Sequence, residues 1–285
     1  MPVGERGNCM PETMTGHIIG IGAPNRTEDG RAVQCAILLT YGEYGMVRIF
    51  SDFYPSKPGQ QATGMMQNVS LWDRVEVSVI AGKDSRLESW KLKEVEVINP
   101  GCNMKSPEKR DILNACTSVF TEDPIKVLNA SHKSICLIKP ERVGYAMHLR
   151  EHKDSIDWVQ CQSETPQKPY MKWESSAGHS HENQLCAHEA YEWLRKNQSA
   201  PSRLWENMQI DNIDYEKWFL LGNIAAWRNV WVVVHVHRLK KTAPQLIDTS
   251  SLIRDGRPKD WPLCLPVDID ARRAASTGQT LMFTT

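Results

Sequence analysis

Short runs of alternating or β-branched residues fill the chain from His17 to Asn99. His17–Ala23, Ala32–Tyr41, Met46–Phe53, Trp72–Ile80 and Trp90–Ile98 each have strand length, and turn residues separate them: Pro24-Asn25, Tyr41-Gly42-Glu43, Pro55 to Gly59 and Gly82-Lys83-Asp84. In Trp72–Ile80 the period is strict. Val75, Val77 and Val79 fall on one side, and Arg74, Glu76 and Ser78 on the other, as in a strand with one wet face. Five such strands within residues 16–106 predict a β-rich domain, either a small barrel of OB or SH3-like type or a compact sheet.

The period changes after Asn99. Pro107–Phe120 and Asp123–Lys133 read as helices, with Ser106 and Asp123 at cap positions before prolines. Ser134–Pro140 and Tyr145–His152 return to strand pattern, so residues 107–152 read as a helical insert followed by strands. Residues 153–169 are polar and aperiodic. Tyr170–Trp173 is a short strand. Glu182–Asn197 reads as a helix with Leu185, Ala190, Trp193 and Leu194 on its apolar side. Trp218 to Lys241 reads as two buried strands joined at a turn. Strict alternation puts Val230, Val232, Val234 and Val236 on one face of the second strand, and Trp231, Val233, His235 and His237 on the other. Residues 153–249 then form a C-terminal helix and β-hairpin domain. Residues 1–15 read as a flexible lead-in and 250–285 as an arm and tail. The class is α+β, with no visible internal repeat.

Composition changes the picture in three places. The formal net charge is zero, which argues against a protein that coats DNA through a global positive field but allows a local basic groove. Ten Trp against five Phe suits base stacking or a protein interface, and equally a β core. Eight scattered Cys without a C-x-x-C pair fit free thiols in a reducing cytoplasm, and neither a signal peptide nor an 18-residue apolar run is present. A cytoplasmic protein without membrane contact is the expectation.

Several pieces in order resemble a poorly characterised prokaryotic β-rich family associated with mobile-element and defence gene neighbourhoods. They are Met46-Val47-Arg48-Ile49-Phe50, Trp72-Asp73-Arg74-Val75-Glu76-Val77, Asp84-Ser85-Arg86-Leu87-Glu88-Ser89-Trp90, Ser134 to Pro140, Gly178-His179 and Phe219-Leu220-Leu221-Gly222-Asn223. The resemblance spans residues 32 to 241 and implies architecture more than chemistry. Relatives carry a Cys pair before Gly-His, as a short zinc site needs. Here Trp173 to His179 holds no Cys, so the chain departs from the pattern on which a carried-over zinc site would rest.

Candidate chemistry is sparse. His179, His181, Cys186 and His188, with Cys161, are zinc ligand types without a standard ligand spacing, and a solvated or capping His cluster is the plainer reading. His188-Glu189-Ala190-Tyr191-Glu192 lacks the second His of a zincin. His235 and His237 could bind metal or phosphate, or simply pack. Glu88-Ser89-Trp90-Lys91 matches a loose nuclease pattern that a salt-bridged strand surface also matches. Cys136 sits in an apolar run and reads as an inert buried thiol.

Basic residues alternate with aromatics at Arg48/Phe50, Arg86/Trp90/Lys91, Lys168/Tyr170/Lys172/Trp173 and Trp227/Arg228/Trp231/Arg238. Such alternation suits a groove that tracks phosphates and stacks bases. The expected interface is therefore Arg48, Arg86, Trp90, Lys91, Lys172, Trp173, Arg228, Trp231, His235, His237 and Arg238, with DNA or RNA as partner and neither cofactor nor catalytic residue. The resulting expectation is a nucleic-acid-binding, non-catalytic component of a prokaryotic defence or mobile-element system. An adaptor that docks a partner protein through a Trp-rich hairpin and a metal-dependent nuclease are the competing classes.

Overall fold

A computed structural model describes residues 10–26, 32–41, 45–54, 63–64, 66, 68–82, 86, 88–131, 133–149, 167–224 and 227–241. Residues 1–9 of the expected lead-in, residues 153–166, Cys161 and the expected arm and tail lie outside that set. The fold is β-rich and of α+β type. Its elements in order are β1 (Glu12–Ile21), β2 (Asn25–Arg26), β3 (Ala32–Thr40), β4 (Met46–Tyr54), β5 (Thr63–Gly64), β6 (Arg74–Ala81) and β7 (Ser89–Asn99). Helices α1 (Ser106–Cys116) and α2 (Pro124–Ala130) follow, then β8 (Ile135–Ile138), β9 (Arg142–Leu149), β10 (Gln167–Glu174) and β11 (Ser180–Gln184). The chain continues through α3 (His188–Lys196), α4 (Leu204–Asn207), β12 (Tyr215–Ile224) and β13 (Trp227–Lys240).

The first five long strands pair in a ring. β1 is antiparallel to β3 and β6, β3 to β4, and β6 to β7, while β4 and β7 run parallel. Short β2 and β5 extend β3 and β4, and the registers slip in β1 and β6. Alternation holds as the sequence predicts. Ala36 and Leu38 of β3, Val47 and Ile49 of β4, Val75, Val77 and Val79 of β6, and Leu92 of β7 share one core.

The remaining strands make two three-stranded sheets that together repeat this order as a second, less continuous ring, and no repeat in the sequence announces it. β9 and β10 are antiparallel, as are β10 and β11, β12 and β13, and β12 and β8. A parallel bridge from Leu185 to Val233 joins the end of β11 to β13, where the Cys186 N–H donates to the Val233 carbonyl at 2.7 Å. β8 and β9 follow each other across Lys139, Pro140 and Glu141 and pair with β12 and β10, so the two together take the place of β1. Likewise β10, β11, β12 and β13 correspond to β3, β4, β6 and β7. The strands expected in the insert therefore belong to the second ring, and α1 and α2 lie between the rings. Residues expected to start the Glu182–Asn197 helix form β11 instead, because Glu182, Asn183 and Gln184 pair with β10.

The rings meet through a shared apolar layer. The outward residues of the first ring, Ile19, Ile37 and Leu39, pack with Ile112 and Leu113 of α1 and with Leu137, Trp218, Leu220, Val232 and Val234 of the second. The second ring's own core contains Met171, Trp173, Leu185, Leu194, Phe219, Trp231 and Val233. Each buried aliphatic side chain is worth about 1.5–3 kcal/mol relative to exposure.

Trp72, at the joint, has φ 71°, which is unusual for a bulky residue. Its N–H donates to the Ile18 carbonyl at 2.7 Å, and its ring meets His237 at 5.1 Å. Asp73 beside it accepts from the amides of Ser70 and Gly101 at 2.7 and 2.6 Å. A Cβ on Gly101 would stand 2.4 Å from the Leu71 carbonyl oxygen, so this crossing needs glycine.

Val77 is 0% exposed while Glu76 points to solvent. Val77→Asp therefore buries a carboxylate with no partner and should lower stability by roughly 3 kcal/mol or more, while Glu76→Lys should stay within about 0.5 kcal/mol. Urea denaturation of both variants checks this, and equal losses would contradict the alternation.

Candidate nucleic-acid interface

β10 presents its two faces to different surroundings. Pro169, Met171 and Trp173 point inward and are buried, while Lys168, Tyr170, Lys172 and Glu174 point outward. On the outward face Lys168 lies opposite His148, Tyr170 opposite Ala146, Lys172 opposite Gly144, and Glu174 opposite Arg142 of β9. From β11, Gln184 stands beside Tyr170 and Glu182 beside Lys172. The side chains of Lys172 and Arg142 are 53% and 82% exposed.

The Tyr170 ring meets the His148 imidazole edge-on at 4.6 Å. Burial, then the neighbouring Cys186 and Glu182, push the Tyr170 hydroxyl above its usual pKa, so it stays a neutral phenol. Glu182 accepts a hydrogen bond from His148 and lies 3.7 Å from Lys172. The His148 contact holds its carboxyl below the usual range. Gly144 and Ala146 add little bulk across the strand, and a Cβ on Gly144 would meet only the Lys172 Cβ at 3.6 Å. The result is an aromatic ring between two lysines along one strand, with a low floor on one side. Such a surface can stack a base and hold flanking phosphates.

Of the residues expected at the interface, only Lys172 lies on this face. Trp173 points the other way, 3% exposed, and donates its indole N–H to Asn183 at 2.8 Å. Trp90 is in the first core. Lys91 reaches Asp52 at 3.9 Å. Arg48 and Arg86 are buried at the joint, donating to the carbonyls of Ser134 at 2.6 Å and Asn223 at 2.8 Å. Arg228 is exposed on the β12–β13 hairpin.

The hairpin corrects the expected alternation. A register shift puts Leu220 opposite His235 and Leu221 opposite Val233, leaving Val234 as an extra residue. Trp231, Val233 and Val236 consequently share the second core, whereas Val232 and Val234 enter the layer between the rings. His237 packs on Trp72 of that layer, and His235 meets His237 at 4.7 Å. Trp231 donates to Asn129 at 2.8 Å from inside the core. These groups are buried inside the structure. Arg238 is committed to Glu189 at 3.0 Å and to the Met208 carbonyl at 3.2 Å.

The zinc ligand types do not converge. His179 is exposed, and His181 lies 4.3 Å from the Trp173 ring and 3.7 Å from Asp123. Cys186 is buried in the inter-ring layer and His188 begins α3. Burial pushes the Cys186 thiol up to about 12, which disfavours the thiolate that a metal needs. Burial also raises Cys136 to about 11. Among the described residues no group of three or more His, Cys, Asp or Glu could hold a metal ion. Glu88 accepts from the Ser134 hydroxyl at the joint while Lys91 faces Asp52, so the two side chains have different partners.

Of the cysteines described, Cys35, Cys102, Cys136 and Cys186 form no disulfide, but Cys116 does, against the expectation of free thiols. No helix among the described residues is long and apolar enough to cross a membrane.

The sequence reading missed His148 as the neighbour of Tyr170 and Gly144 as that of Lys172. β9 is visible as a strand pattern, but its register against β10 is not. Compared with known proteins, the chain matches no protein-family model and no curated relative.

Burial lowers the pKa of His235 to about 3, that of His237 well below the ordinary 6.5, and that of His17 in the same direction. These groups are neutral when folded and take up protons on unfolding. Their contribution is complete above about pH 6.5 and is lost as pH falls toward 3, by about 1.4 kcal/mol per pH unit for each fully buried histidine. Urea midpoints at pH 7.5, 6.0 and 5.0 should decline, and less steeply in His235→Gln. A pH-independent midpoint would contradict this.

Proposed function

We propose that both rings are OB-type barrels and that the chain is a non-catalytic single-strand nucleic-acid-binding protein. Support for the barrel reading comes from the order of pairings. Each ring has four antiparallel contacts and one parallel contact in the same sequence, the arrangement of a five-stranded Greek-key barrel. In such barrels the second and third strands bear the oligonucleotide, and in the second ring those strands are β10 and β11.

The observation that carries the functional reading is Tyr170 on that outward face, between Lys168 and Lys172 and opposite Ala146. Neutral net charge fits a short, local contact rather than a coat along a duplex. The ligand is RNA or DNA in single-stranded form, since stacking on a tyrosine needs an unpaired base. On the resemblance to a family associated with defence and mobile-element gene neighbourhoods, we read this activity as that of a component of a prokaryotic defence or mobile-element system.

A second reading, docking of a partner protein, rests on Trp227 and Val230, 54% and 45% exposed on the β12–β13 hairpin. It has less support than the first, because the other tryptophans of that hairpin, Trp218 and Trp231, are internal.

The test is fluorescence anisotropy with single- and double-stranded DNA and RNA across a salt series. Tyr170→Ala should cost about 1–3 kcal/mol for single strands, the usual worth of one stacked base. Lys172→Ala should weaken all single strands and flatten the salt slope by about 0.7. Binding unchanged in both variants, or none by the parent protein at low salt, would overturn the proposal.

A further inference from the structure

The face of the first ring that corresponds to β10–β11 is the outward side of β3 and β4, and it is already covered. Ile37 and Leu39 of β3 lie in the apolar layer against the second ring. Arg48 of β4 donates to the Ser134 carbonyl at 2.6 Å, and that carbonyl also accepts from the Asn223 N–H at 3.0 Å. Arg86 precedes β7, stands over the Phe50 ring at 5.5 Å and donates to the Asn223 carbonyl at 2.8 Å. Glu88 accepts from the Ser134 hydroxyl in the same cluster. Gly222 leaves room for this packing, since a Cβ there would stand 3.0 Å from an Arg48 guanidinium nitrogen.

An aromatic ring flanked by two arginines would suit phosphate and bases on an open surface. Here main-chain oxygens of β12 and of the segment before β8 take the arginine donors instead. We infer that Arg48 and Arg86 clamp the second ring onto the face with which the first would otherwise bind a strand, so the chain takes up one strand and not two. The inference rests on the reading of β10–β11 as the binding face. Both arginines are positioning residues for the joint and do not touch nucleic acid. The joint buries apolar residues from both rings and α1, and a bound strand would have to displace all of them to reach Arg48.

The test titrates the full chain with a hexathymidylate and counts the strands bound by native mass spectrometry, alongside amide exchange in the parent and in Arg86→Ala. One strand per chain is expected. Arg86→Ala should keep the parent affinity within about twofold while the Asn223 amide exchanges about tenfold faster. Arg48→Lys, which keeps charge but not the fork, should speed the same amide less than Arg48→Ala. Two strands bound per chain would overturn the inference. So would a tenfold loss of affinity in Arg86→Ala with Asn223 exchange unchanged, which would place Arg86 on the ligand. No strand bound at all would sink the binding-face reading. The clamp would then stand or fall on the exchange result, and unchanged exchange would sink that too.

Discussion

The structure depends on a single apolar layer between its two rings. Ile19, Ile37 and Leu39 on one side meet Trp218, Leu220, Val232 and Val234 on the other, with α1 closing one end. A strand exposes one side chain in two to each face, so a ring that packs outward as well as inward must be apolar on both faces. β3 and β13 meet that demand: Ala36 and Leu38 fill the first core while Ile37 and Leu39 fill the layer, and β13 is buried from Trp231 through His237. The polar groups caught there must find partners or remain uncharged. Arg48 and Arg86 find carbonyls, and His235 and His237 stay neutral.

This constraint makes the two rings unequal. In the first, the outward side of β3–β4 is spent on the joint. In the second, the outward side of β9–β11 stays wet and carries Arg142, His148, Lys168, Tyr170 and Lys172. Duplicated topology thus supplies a platform and a presented face. The bulge at Val234 belongs to the same arrangement, because it lets β13 serve the second core with Val233 and Val236 and the joint with Val232 and Val234.

The sequence made part of this legible. Val75, Val77 and Val79 declare β6 because only one of its faces is buried, and Asp123 before Pro124 declares the start of α2, where its carboxylate accepts from Ile125 and Lys126. The β10 motif was visible as Lys168, Tyr170 and Lys172. What stayed hidden was tertiary. Arg48, Arg86 and Trp90 alternate like a binding surface, yet burial commits them elsewhere, and local pattern cannot tell an outward face in water from one under another sheet. The bulge at Val234 inverted the face of His235 and His237, since one inserted residue reverses every later position. The repeat escaped notice because the two rings share pairing order and not residues.

If the first ring is the platform and the second presents the binding face, the joint separates the strands that a ligand protects from those that it leaves alone. Hydrogen–deuterium exchange of the full chain with and without a saturating single strand tests it most directly. New protection is expected in Arg142–Leu149 and Gln167–Gln184, with β3 and β4 unchanged. Protection appearing on β3 and β4, or none on β9 to β11 at saturation, would contradict it.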